Sequence, residues 1–197
     1  MRKIRIMEHI SLDGVISPSA RDEEDDDFVH GGWTEPYRSP AGLESVIESH
    51  GSIFDLLLGR RTYDLWSGYW PKAGNSPLAN SLNAATKYVA THRPDSLEWG
   101  PVGDLGADIL EGIRSIKSMD GPDLIVWGSS TLTSVLLEQG LVDEVVLFVY
   151  PVLLGLGIRF FSDNVAPREL TLVSTKTLPT GVLVNTYQYV GPILSAK

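Results

Sequence analysis

The sequence predicts an α/β fold: a mixed, mostly parallel sheet flanked by helices and closed by an antiparallel hairpin. Three observations carry that prediction. Short apolar runs such as Leu124 to Trp127 alternate with segments whose apolar residues recur three and four apart. Two of those runs break at small-residue turns that open straight into helices, Gly59-Arg60-Arg61-Thr62 and Gly128-Ser129-Ser130-Thr131. Near the end, Glu169 to Thr177 and Gly181 to Val190 alternate with period two around Leu178-Pro179-Thr180-Gly181, the pattern of a hairpin.

In order, Lys3 to Ile10 reads as a first strand with Ile4, Ile6 and Met7 toward the core, followed by an Asp13-Gly14 turn. A long connection, Ser17 to Pro40, holds the acidic run Asp22 to Asp27 and then His30-Gly31-Gly32-Trp33. A connection of that length is expected to be a lid or a mobile segment, and the acidic run to be a solvated face. An exposed Trp33 beside two glycines suggests a flap that closes over a ligand; a tryptophan that plugs the core is the alternative. Gly42 to His50 is a short amphipathic helix and Ile53 to Leu58 a strand, which enters the glycine–arginine turn and a helix over Asp64 to Trp66. Leu78 to Ala85 is helical, Lys87 to Thr91 is a strand ending in Thr91-His92-Arg93, and Leu97 to Trp99 is a possible short strand. Ile109, Ile113 and Ile116 mark a helix stopped by Asp120-Gly121-Pro122. Leu132, Val135 and Leu136 mark another, which ends at Gly140, where a helix favours a residue able to take positive φ. Val145 to Tyr150 is a strand apolar on both faces, so either both faces are buried in the chain or one meets a second subunit.

No repeat or linker divides the 197 residues, and one domain over 1–197 is expected. With 43% apolar and 21% charged residues the chain has the balance of an ordinary globular protein. No apolar run approaches a membrane span, and the N-terminus shows no signal-peptide pattern, so no membrane partner and a cytoplasmic location are expected. The absence of cysteine excludes disulfides, thiolate catalysis and cysteine-bound zinc; no metal is expected. A net charge of −9 argues against nucleic-acid binding.

Against that charge, Arg60, Arg61 and Arg93 gather just after strands, where α/β folds bind ligands. The glycine-rich turns offer helix N-termini to a pyrophosphate, and the arginines an anchor for an extra ribose phosphate, which favours NADPH over NADH. There is no G-x-G-x-x-G fingerprint. Leu12-Asp13-Gly14-Val15-Ile16, Leu58-Gly59-Arg60-Arg61-Thr62-Tyr63, Gly128-Ser129-Ser130-Thr131-Leu132 and Pro151-Val152-Leu153-Leu154-Gly155-Leu156-Gly157 together resemble the dihydrofolate reductase superfamily. The nearest branch is the reductase domain of the riboflavin-biosynthesis deaminase–reductase, and His30-Gly31-Gly32-Trp33 points to its stand-alone bacterial members.

The resemblance implies a three-layer dihydrofolate reductase-like fold, NADPH as cofactor, and hydride transfer to a small pyrimidine- or pterin-like ring. It places cofactor binding on Gly59, Arg60, Arg61, Thr62, Thr91, Arg93, Gly128, Ser129, Ser130, Thr131 and Leu132, with Ile10 and Ile16 against the nicotinamide. The folate enzymes have two glycines joined by a cis peptide where this chain has Gly128-Ser129. With no cysteine and no H-x-E pattern, the zinc signature of the deaminase half is not expected in this chain, which resembles the reductase half. The proton donor is unassigned, with Asp13, Glu48, His9 and Glu8 as candidates, and His30 and Trp33 are expected on the substrate side. A homodimer is expected. The alternatives are a non-catalytic nucleotide-binding member of the fold and a dimeric structural member.

Overall fold

The structure, a computed structural model, describes residues 1–17, 28–161 and 166–193, so the acidic run Asp22 to Asp27 lies outside the described residues. In chain order the elements are β1 (Ile4–Ser11), α1 (Pro40–His50), β2 (Phe54–Gly59), α2 (Arg60–Tyr69), α3 (Pro77–Ala84), β3 (Lys87–Ala90), β4 (Val102–Gly103), α4 (Ile109–Ser118), β5 (Asp123–Trp127), α5 (Ser130–Glu138), β6 (Glu144–Tyr150), β7 (Arg168–Thr177) and β8 (Leu183–Pro192). Short 3-10 turns lie at Glu35–Tyr37, Trp70–Lys72 and Pro94–Ser96. They form two compact units, one of Met1–Ile6 and His50–Asp143, the other of Met7–Ser49 and Glu144–Lys197. Strand β1 contributes its first residues to one and the remainder to the other.

In the first unit the strand order is β4-β3-β2-β5, then the start of β1, and β2 pairs in parallel with both β3 and β5. Leu56, Leu57 and Leu58 of β2 are fully buried, as are Leu124, Ile125 and Val126 of β5. Burial on both faces is why these strands read as unbroken apolar runs. Helix α4 begins where the Asp108 carboxylate accepts the Glu111 N–H at 3.0 Å. Its Gly112 lies against the Leu105 carbonyl, where any β-carbon would collide. At the other end of the sheet Arg2 forms a buried ion pair with Asp55.

The expected strand over Leu97 to Trp99 is corrected to β4. The Trp99 N–H is taken by the Tyr63 hydroxyl at 2.6 Å and is lost to sheet pairing. The Lys87 N–H instead donates to the Pro101 carbonyl at 2.8 Å, and pairing with β3 starts three residues past Trp99, at Val102.

The second unit holds the rest of β1 and then β6, β8 and β7, with β8 antiparallel to both β6 and β7. Val145, Val146, Leu147, Phe148 and Tyr150 of β6 are all buried within the chain itself, which accounts for the apolar strand without a second subunit. Beyond β1, the Asp13 carboxylate accepts the N–H groups of Leu154 at 3.1 Å and Gly155 at 2.7 Å. Nearby the Ile158 N–H donates to Ser17 Oγ at 2.7 Å. Two turns far apart in sequence are thereby fastened together. No helix among the described residues is long and apolar enough to cross a membrane.

Candidate functional site

Three strand ends of the first unit meet. The β5–α5 turn takes two successive left-handed residues, Gly128 at φ 59° and Ser129 at φ 56°. Glycine does this freely; a serine there needs support. The support is its own hydroxyl, since Ser129 Oγ accepts the Gly59 N–H at 3.0 Å and hydrogen-bonds Thr62 Oγ1 at 2.9 Å. The two small-residue turns are thus stitched by one side chain. A β-carbon on Gly128 would sit 3.0 Å from Thr62 Oγ1, and one on Gly59 would strike the Ser129 side chain. Among the described residues the one cis peptide joins Gly100 to Pro101, so the bond between Gly128 and Ser129 is trans.

Neither α2 nor α5 has a side-chain cap at its start. Their first backbone N–H groups therefore keep the affinity for an anion that a helix N-terminus provides. Of the expected cofactor residues, Ser130 and Thr131 open α5, while Leu132, in its first turn, is buried. Arg60 reaches over to the β3 end: Nε donates to both Asp64 carboxylate oxygens at 2.8 and 2.9 Å, and Nη1 to Ser96 Oγ at 2.6 Å and the Arg93 carbonyl at 3.2 Å. Thr91 Oγ1 accepts the Arg93 N–H at 3.1 Å. Arg61, Arg93 and Thr131 are exposed. Small uncapped turns with cations beside them fit a phosphate-bearing cofactor.

The second unit carries the other candidates. Ile10 is buried on β1, and half-buried Ile16 donates its N–H to the Ile158 carbonyl at 2.8 Å. His30 is exposed. Trp33 is buried, which agrees with the core-plugging alternative and not with an exposed flap. Its Nε1 donates to the Ser17 carbonyl at 3.1 Å, and its ring meets Tyr150 edge-on at 5.1 Å. Asp13 is held down to about 2 by the Ser11 hydroxyl and the N–H groups of Gly155 and Leu154, so at neutral pH it has no proton to give. Glu48 lies on the surface beside Lys176, 2.9 Å away. Glu8 is buried, its Oε1 accepting the His9 N–H at 3.1 Å.

His9 Nδ1 lies 3.0 Å from the Tyr150 hydroxyl, and burial, aided by the Arg38 charge, lowers its pKa to about 4. Sequence reasoning missed Tyr150, Tyr37 and Arg38. The signal for Tyr150 was its hydroxyl, the one polar group in the run Val145 to Tyr150.

Comparison with known proteins bears on the fold and the family. YyaP of Bacillus subtilis (strain 168), itself uncharacterized, is 30% identical over 143 residues, 71% of this chain and 76% of its own. A deaminase/5-amino-6-(5-phosphoribosylamino)uracil reductase of Thermotoga maritima superposes with a TM-score of 0.63 at 15% identity, covering 96% of this chain and 57% of that one. Dihydrofolate reductase from Enterococcus faecalis, solved with NADP(H), superposes with a TM-score of 0.60 at 16% identity over 95% and 96% of the two chains. These two likenesses establish the fold, which is dihydrofolate reductase-like. The model of the RibD C-terminal domain matches residues 2–184, and the chain belongs to that family.

Proposed function

We propose that the protein is an NADPH-dependent reductase that transfers hydride to a small pyrimidine- or pterin-like heterocycle. The observation that carries this reading is the stitched pair of turns at Gly59 and Ser129, two uncapped helix starts held together with Arg60 alongside. The reading is supported by the family and by the reductase named for the Thermotoga relative. When bound, NADPH supplies the hydride. The chain supplies backbone N–H groups at Arg61, Thr62, Ser130 and Thr131 for its pyrophosphate, and guanidinium groups at Arg60, Arg61 and Arg93 for the ribose phosphate. Ile10 and Ile16 serve as the apolar contacts of the nicotinamide.

Calorimetric titration with NADPH and NADH tests the cofactor. Absorbance loss of NADPH with 5-amino-6-(5-phosphoribosylamino)uracil and with dihydrofolate tests the reaction. Equal affinity for the two cofactors, or no NADPH consumption with either ring, removes the corresponding part. A homodimer belongs to the same reading, and light scattering on the eluted protein checks it.

A further inference from the structure

The reduction proposed above leaves one proton without a donor, and the second unit contains an arrangement able to give it. Tyr150 is the last residue of β6, and its hydroxyl lies 3.0 Å from Nδ1 of His9, near the end of β1. Beyond the pair, the Leu12 N–H donates to the Val152 carbonyl at 2.9 Å, so the two strands finish side by side. The Tyr150 ring is held edge-on by Trp33 at 5.1 Å and Tyr37 at 5.6 Å, and the His9 ring by Phe148 at 5.1 Å. Aromatic walls on several sides fix the phenol's direction, as a proton-transfer group requires.

We propose that Tyr150 is the acid of the reaction and that His9 is its positioning residue. The inference rests on the reductase reading. Hydride addition to the carbon of a C=N or C=O bond pushes the π pair onto the nitrogen or oxygen. That atom takes the phenol proton of Tyr150. The role requires the Nδ1–H tautomer of His9, from which the tyrosinate left behind accepts a hydrogen bond; it lies within the field of Arg38 and regains a proton from water. Electrons and protons balance: two electrons and a hydrogen arrive as hydride, and one proton comes from the phenol.

The charged and titratable groups acting on the pair agree with these roles. Burial lowers His9, with Arg38 adding to it, and burial raises Tyr150 to about 12, partly offset by Arg38. Both are neutral at neutral pH, so the phenol keeps its proton until an anion appears. An amide- or alkoxide-like anion is a far stronger base than a phenolate. Of the other candidates, Asp13 is already ionised, Glu48 pairs with Lys176 at the surface, and Glu8 is buried with Oε1 accepting the backbone N–H of His9 at 3.1 Å.

Two measurements test the proposal on the full chain. The first needs no substrate. In ¹⁵N-histidine spectra of the cofactor-free protein, His9 is expected to stay neutral well below its ordinary range, and its Nδ1 resonance to move in Tyr150→Phe. An Nδ1 resonance identical in the two proteins overturns the pairing, whatever the activity.

The second follows NADPH oxidation with 5-amino-6-(5-phosphoribosylamino)uracil and with dihydrofolate. Tyr150→Phe is expected to leave NADPH affinity and KM unchanged and to lower kcat by roughly 10²–10⁴-fold. Phenylalanine keeps the ring contacts, and thermal unfolding verifies that the variant folds. Fluorotyrosine at position 150 gives the same test without loss of the hydroxyl and is expected to move the alkaline limb of kcat to lower pH. His9→Gln is expected to change that limb while leaving NADPH affinity intact. A Tyr150→Phe enzyme with parental kcat, or a fluorotyrosine enzyme with an unmoved limb, overturns the acid role while the reductase reading stands. A parent that consumes NADPH with neither ring overturns the reductase reading and the acid role together, and the spectra still decide whether the pair exists.

Discussion

Ser129 occupies a left-handed backbone that few side chains tolerate, yet its hydroxyl is what joins two turns. Its two bonds, to the Gly59 N–H and to Thr62 Oγ1, are each worth about 1 kcal/mol. The left-handed conformation costs a non-glycine residue about 1–2 kcal/mol. Ser129→Ala keeps the cost and loses the bonds; Ser129→Gly loses both. We therefore expect the alanine variant to melt below the glycine variant, and both below the parent, with weakened NADPH binding in each. Melting curves beside calorimetric titration check this order. Gly128→Val is the sharper case, because its β-carbon meets Thr62 Oγ1 at 3.0 Å on a backbone already at φ 59°. It should abolish NADPH binding, and binding like the parent's would reduce the turn to a plain connection. The small residues of this turn were legible in the sequence. The hydroxyl's target was not, because it lies 70 positions away, and only the folded sheet brings Gly59 to Ser129.

Helix α2 shows what periodicity conveys and what it omits. Its presence after β2, with the arginines at its start, was legible from the glycine–arginine junction, but the stretch read as helical, Asp64 to Trp66, is only the middle of Arg60–Tyr69. A helix start without a side-chain cap leaves no sequence mark, and this one has none. The same want of a local signal explains β4, displaced because the Tyr63 hydroxyl occupies the Trp99 N–H. Arg60 is oriented by Asp64, Ser96 and the Arg93 carbonyl through Nε and Nη1, and these bonds hold its guanidinium at the junction of α2 with the β3 end. Losing one charge-assisted contact costs about 1.5–3 kcal/mol. Arg60→Ala should accordingly narrow the preference for NADPH over NADH by about tenfold or more. An unchanged ratio of dissociation constants would assign the ribose phosphate to Arg61 or Arg93.

Taken over the full chain, acid should lower stability over two separate pH ranges. His9 titrates at about 4 when folded, against an ordinary value of 6.5. Below pH 6.5 the unfolded chain binds that proton first, so stability complete above 6.5 falls as the pH approaches 4, by about 3 kcal/mol. Asp13 titrates at about 2 against 3.8, so its contribution is present above 3.8 and is lost toward 2. Discounted for its partial exposure, that second loss is about 1–2 kcal/mol. Urea denaturation across the acid range should show the upper decline flattened in His9→Gln and the lower in Asp13→Asn; a single decline common to all three proteins would refute the assignment. The overall architecture was legible because strands buried on both faces, such as β2, stand out as apolar runs between helical periods. His9 stood among the proton-donor candidates, but its pairing with Tyr150 was not legible. His9 and Tyr150 are 141 positions apart, and each alone reads as an ordinary strand residue.

The fastening at Asp13 also sets a clock. Leu153 and Leu156 stand 75% and 67% exposed, and a loop so open to water would ordinarily trade its amide hydrogens for deuterium within the first moments of exchange. Two of the amides lying between them point into a carboxylate, and a third, at Ile158, into a serine oxygen. On the exchange time axis Leu154, Gly155 and Ile158 should keep company with the buried strands, slow islands in a fast, wet segment. Asp13→Ala, which removes both acceptor oxygens, should set the first two free while the strand amides go on counting at their old rate.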